Sequence, residues 1–168
     1  MIADGVRLSL AEIEIAHLVG LIDDFTEVLV TLDDESDPAF ARLTPDVYPD
    51  DAAASAEFSA ATRDDLLDRR AAEAATVRRG LVASSAAEAA SIPDNGLEMR
   101  DVVIRMSELD AWLRTLTALR LVIASRLGMT TDDDQRDPGD SRYAVYDWLG
   151  IRLDGVIALA DDLDEGLG

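Results

Sequence analysis

The stretch Leu109–Gly128, LDAWLRTLTALRLVIASRLG, decides the fold. Leu109, Trp112, Leu113, Leu116, Leu119, Arg120, Ile123 and Leu127 recur at the steps of one helix face, and Gly128 is the residue type that ends helices in a left-handed cap. A helix this apolar belongs at the centre of a domain, with other elements packed around it. Just before it, Val102-Val103-Ile104-Arg105-Met106 is strand-like, and Ser107-Glu108-Leu109-Asp110 offers a helix start. The N-terminal region repeats this theme. Val6-Arg7-Leu8-Ser9-Leu10 alternates apolar and polar residues, and Ser9-Leu10-Ala11-Glu12 has the form of a capping box. On the helix that follows, Ile13, His17, Leu18, Leu21, Ile22, Phe25, Val28, Leu29 and Leu32 fall at helical spacing, and the acidic run 33–37 ends it.

Between these units, Pro38, Pro45 and Pro49 confine residues 37–50 to an ordered loop with one helical turn. Asp50 and Asp51 can cap an alanine-rich helix anchored by Phe58, Leu66, Leu67, Val77, Leu81 and Val82. Thr62-Arg63-Asp64-Asp65 has the composition of a second start, so the pattern allows a break there. Residues 83–98 and 130–141 read as flexible loops. Tyr143, Tyr146, Trp148, Leu149, Leu153, Val156, Ile157 and Leu159 build a last helix, followed by the acidic tail 161–165. The expected fold is mainly α: one domain over residues 1–168, with four to five helices bundled around the 108–127 helix and a two-stranded β element from residues 5–10 and 101–106.

Composition narrows the function. Hydrophobic residues make up 48% of 168, enough for a core without disulfide or metal support. With no cysteine, thiolate zinc sites and thiol redox switches within the chain are excluded. The longest apolar stretches fall far short of the ~20 residues of a membrane-spanning helix. Met1-Ile2-Ala3-Asp4 does not open a secretory signal, which makes the cytoplasm the expected location. Fifteen basic residues, all arginine, face 35 acidic ones, for a formal net charge of -20. A field of that sign repels phosphate backbones and disfavours direct binding to nucleic acid.

No residue pattern carries an enzyme's chemistry. Glu14-Ile15-Ala16-His17 has the Glu-x-x-His spacing of di-iron bundles, but such sites need two copies and His17 is the single histidine. It is expected to border the core. An EF-hand reading of the acidic loop from Asp133 fails, with Pro138 at the sixth position and Ala144 at the twelfth. Neither a lysine for a Schiff base nor a glycine-rich phosphate loop is present. Arg42, Arg69, Arg120 and Arg126 lie beside apolar positions, where a guanidinium holds carboxylates such as Glu57 or Asp65, or loop carbonyls; an anion or partner site is the alternative. Trp112 and Trp148 are core residues or, if partly exposed, binding anchors.

Asp37-Pro38, Arg42-Leu43-x-Pro45, Tyr48, Asp51, Glu57-Phe58, Leu66 and Arg69, then Ala111-Trp112-Leu113, Arg120-Leu121, Arg126-Leu127 and Val145-Tyr146-x-Trp148-Leu149, appear in a telling order. Over residues 6–160 this order and spacing resemble an actinobacterial domain-of-unknown-function family that includes the oxidative-stress transcriptional regulator AosR. Thr117-Ala118 stand where that family commonly has an Asn-Asp pair, and Ser59 where it has arginine. The resemblance implies a non-enzymatic, cofactor-free regulator of transcription acting through a sigma factor or RNA polymerase. Its expected structural or partner-contact residues are Arg42, Tyr48, Glu57, Arg69, Trp112, Arg120, Arg126, Tyr146 and Trp148. An adaptor in regulated proteolysis and a small hydrolase or metal-binding bundle are the rival classes. The leucine-rich helix is compatible with a homodimer.

Overall fold

A computed structural model describes residues 5–31, 38–43, 50–86, 96–129 and 139–166. The elements run β1 (Gly5–Ala11), α1 (Glu12–Thr31), α2 (Pro38–Leu43), α3 (Ala52–Ala86), β2 (Met99–Arg105), α4 (Leu109–Arg126) and α5 (Ala144–Gly166), with 3-10 turns at Met106–Glu108 and Ser141–Tyr143. The fold is the expected mainly α bundle with a small β element. Among the described residues, no helix is long and apolar enough to cross a membrane.

The strands pair antiparallel, with Gly5 opposite Arg105, Leu8 opposite Val102 and Ala11 opposite Met99. Side chains alternate across the pleat, so Val6, Leu8, Leu10, Val102 and Ile104 turn to the core while Arg7, Ser9, Asp101 and Val103 turn out. Only glycine fits at position 5, because a Cβ there would lie 2.5 Å from the Ile104 carbonyl oxygen. The capping box expected at Ser9–Glu12 does not form, since the strand continues through Ala11 and Ser9 Oγ instead donates to Asp101 Oδ1 at 2.6 Å. Glu14 takes the back-reaching role two residues later, accepting the Ala11 N–H at 3.0 Å. Glu12 N–H and Ile13 N–H, which have no partner within α1, donate to the carbonyls of Glu98 and Gly96. Arg100 is only 5% exposed and closes the same junction, reaching Glu12 at 2.7 Å and Glu98 at 3.1 Å.

Helix α4 is the hub, with α2, α3 and α5 against it. It buries Trp112, Thr115, Leu116, Ala118, Leu119, Val122 and Ala124. The expected Ser107 cap is replaced by the 3-10 turn, which has no capping side chain. The other end is a Schellman motif: Gly128 at φ +73° donates to the Ser125 carbonyl, Met129 donates to that of Ala124, and the Met129 side chain packs beside Ala124.

Several expectations need correction. Helix α3 runs unbroken through 62–65, because Thr62 folds its hydroxyl onto the Phe58 carbonyl at 2.9 Å and the alanine-rich flanks sustain the helix. Asp51 does cap it, accepting the Ala54 N–H at 3.0 Å. Its buried anchors are Ala74, Val77 and Leu81; Phe58 is 42% exposed and Val82 is also at the surface. On α1 the buried stripe is Ile15, Leu18, Ile22, Phe25 and Leu29, which turns Ile13 and His17 outward. Of the loop expected at 83–98, residues 83–86 continue α3 and 96–98 hold the start of α1, while 87–95 lie outside the described residues. Of 130–141, residues 130–138 lie outside them, and Asp140 caps the 3-10 turn. The acidic tail is helical to Gly166 as part of α5.

Thr115 sits in the core with a hydroxyl that meets no hydrogen-bond partner among the described residues. An unsatisfied buried hydroxyl is costly, and valine has nearly its shape. Thr115→Val is therefore expected to raise unfolding free energy by roughly 1 kcal/mol in urea titrations; a loss of stability would contradict this packing.

Candidate functional site

Positions 113, 117 and 121 share one face of α4, and 66, 69, 70 and 73 one side of α3. The two helices meet along these faces and enclose an open groove of about 410 Å³. Leu66, Leu113 and Leu121 give it apolar walls, while Arg69, Arg70, Arg114 and Glu73 supply its charge. Arg114 donates to Glu73 at 2.9 Å and lies 3.7 Å from Asp110, and the Glu73 hydrogen bond raises its pKa. Arg70 donates through Nη2 to the Leu43 carbonyl at 3.0 Å, at the end of α2. Its Nε is buried with no acceptor among the described residues, and burial pulls its pKa below the ordinary arginine value. Arg69 is exposed, and its guanidinium forms no ion pair or hydrogen bond among the described residues. The Thr117 hydroxyl is taken by the Leu113 carbonyl at 2.7 Å, so the groove presents leucines and guanidinium groups rather than a nucleophile beside a base.

The opposite flank of α4 meets α5. Arg120 lies with Cζ 4.2 Å from the centre of the Tyr146 ring, in room left by Gly150, where a Cβ would come 3.4 Å from the guanidinium. Its Nε is buried without an acceptor among the described residues. The expected pairing of the arginines with Glu57 or Asp65 is thus replaced by an aromatic face at Arg120. Arg42 takes the other expected kind of partner, a carbonyl: its side chain donates to Met129 O and ties α2 to the end of α4.

Arg126 is exposed in the last turn of α4, where its charge complements the helix dipole. Trp112, at 1% exposure, is core, and Glu57 is exposed on the N-terminal half of α3. Tyr48 lies outside the described residues. Of the expected residues that are described, only Arg69 reaches the groove, and Arg120 with Tyr146 forms the seam on the other side of α4. Arg70, Glu73 and Arg114 escaped the sequence reading, which marked Thr117 only as a departure from the family pattern. Their signal was the spacing of two facing helices, which becomes visible only once α3 and α4 are known to be neighbours.

A second, smaller cleft of about 280 Å³ lies between α1 and α5, lined by Ile13, Glu14, His17, Ala144, Val145 and Trp148. Here the Glu-x-x-His spacing serves an indole. Glu14 accepts the Trp148 Nε1–H at 2.7 Å and a hydrogen bond from Arg152 at 2.5 Å. His17 stacks on Trp148 with ring centroids 5.3 Å apart and planes at 12°.

A family model for a domain of unknown function, DUF2017, matches residues 1–160, and the chain belongs to that family. No curated protein and no solved structure matches it.

Glu14 gives the α1–α5 junction a pH dependence. Burial alone would push its carboxyl up, but the hydrogen bonds from Trp148 and Ala11 and the Arg152 charge outweigh it and hold the pKa below the ordinary glutamate value. A lowered folded pKa contributes stability above the unfolded pKa, about 4.3, and that contribution disappears as pH falls through the folded value. Glu14→Gln should cost on the order of 1 kcal/mol at pH 7 in denaturant titrations, with the difference from wild type vanishing in acid below the folded pKa. A difference that persists unchanged there would assign the loss to packing.

Proposed function

We propose that this protein is a non-enzymatic regulator of transcription in the oxidative-stress response of an actinobacterium. It works in the cytoplasm through contact with a sigma factor or RNA polymerase. The observation that carries this reading is where the residues of the AosR-like pattern lie. Leu66 and Arg69 come from α3, Leu113 and Arg120 from α4 and Tyr146 from α5, and all flank the same helix. Leu66, Arg69 and Leu113 line one open groove, the form of a macromolecular contact rather than of an enclosed reaction chamber.

The charge supports the same division of labour. A chain with 35 acidic and 15 basic residues repels the DNA backbone, so its influence on a promoter passes through a protein that holds the DNA. With no cysteine, the chain does not itself register oxidants by thiol chemistry, and the signal reaches it through its partner or its abundance.

Affinity purification of the tagged protein from its native cells, with and without peroxide, tests the reading. A sigma factor or polymerase subunit should co-purify. Recovery of protease subunits alone would replace this reading with that of a proteolysis adaptor, and recovery of no transcription protein under either condition would overturn it.

A further inference from the structure

We propose that the α3–α4 groove holds a short acidic, leucine-bearing segment of a protein partner, with Arg69 pairing with its carboxylates, Arg70 adding positive charge, and the groove's leucines taking its apolar side chains. This rests on the protein-contact reading and deepens it by fixing the place of docking and the chemistry docked.

The groove inverts the charge of the molecule around it. Acidic residues outnumber basic ones 35 to 15 over the chain, yet the groove gathers three guanidinium groups and one carboxylate. Glu73 and Asp110 engage Arg114 and no other arginine in the groove by a salt bridge. Arg69, exposed at the groove, keeps a guanidinium without a carboxylate among the described residues, although carboxylates abound in this chain, and Arg70 adds positive charge that Glu73 partly offsets. Guanidinium forks match carboxylates in shape and charge, and the leucines between them favour a ligand that is apolar as well as acidic.

Other occupants fit less well. A nucleic acid brings a charge every few ångströms along its length, so most of it would lie in the repulsive field outside the groove, and its backbone gains nothing from leucine walls. A second copy of the chain carries the same charge of -20 and is repelled as a whole. A segment with two or three carboxylates among leucines meets only the groove.

The test uses the full-length protein, in wild-type and Arg69→Glu forms, to select from a displayed random peptide library. Arg69 is exposed and makes no interaction among the described residues, so its replacement leaves the bundle intact, which thermal melting checks. Arg79→Glu, at an exposed position of α3 outside the groove, serves as the control.

Wild type should enrich sequences that combine Asp or Glu with Leu or Phe. A synthetic peptide from that set should shift the NMR signals of Leu66, Thr117 and Leu121, lose affinity with added salt, and bind Arg69→Glu about tenfold or more weakly while binding Arg79→Glu unchanged. Failure to enrich any sequence, enrichment of basic or uncharged ones, or shifts mapping elsewhere would overturn the proposal. So would a dimer in sedimentation that Arg69→Glu dissociates, since the groove would then belong to a second copy. The two readings separate cleanly. A transcription protein recovered equally well by Arg69→Glu removes the groove and leaves the function, whereas acidic peptides held by the groove with no transcription protein ever recovered remove the function and leave the groove.

Discussion

Helix α4 must be covered on several sides at once, and the rest of the molecule is arranged to meet that demand. Trp112, Leu116, Leu119 and Val122 place bulky apolar groups around its inner surface, each worth roughly 1.5–3 kcal/mol when removed from water. Helices α3 and α5 take its flanks and α2 its far end. The outward stripe through Arg114, Thr117 and Leu121 is left to solvent or to a partner. The groove is thus a consequence of how a central helix is wrapped: it runs where α3 packs on α4 and is lined by residues at the edges of both packing faces.

A second constraint acts at the other end of the bundle, where chain segments nearly ninety positions apart must join. The β1–β2 pair sets their register, and Arg100 locks it, with its guanidinium buried between Glu12 and Glu98. A buried charge is tolerated because both partners and the bonding geometry are in place, and removing one partner would leave it uncompensated. The carbonyls of Gly96 and Glu98 then receive the first free N–H groups of α1, so the segment leading into β2 also caps the helix that follows β1. Sheet, cap and ion pair form one junction.

Much of this architecture was legible in the sequence because it is written in local periodicity. The apolar step of 109–127, the alternation at 6–10, the strand-like run at 102–106 and the glycine at 128 each report a structure that their own neighbours determine. What escaped depends on distant neighbours. Ile15 rather than His17 faces the core because α1 is rotated to suit α3 and the sheet, and nothing within α1 records that rotation. Thr62-Arg63-Asp64-Asp65 looks like a helix start, but threonine can bond back to its own helix, and a helix long enough on both sides absorbs it. Of the arginines singled out for their apolar neighbours, Arg42 and Arg120 are partly buried while Arg69 and Arg126 are exposed. The partners of Arg42 and Arg120, a carbonyl and a tyrosine ring, come from other elements and have no sequence signature.

Helix α3 spans 35 residues, about 52 Å at 1.5 Å per residue, but its fully buried side chains, Ala74, Val77 and Leu81, are all in its C-terminal half. None of the described residues from 53 to 65 is buried. Mechanically the helix is a cantilever: anchored by buried side chains in its C-terminal half, it carries an N-terminal arm that buries none among the described residues and draws support from surface contacts, alanine's intrinsic preference and the Asp51 cap. Resistance to local opening then grades along a single element, rising from the arm towards Leu81. The groove opens where that gradient begins to climb, so a ligand seated against Leu66 and Arg69 would stiffen the adjoining arm, turning occupancy of the slot into a change in backbone order several turns away.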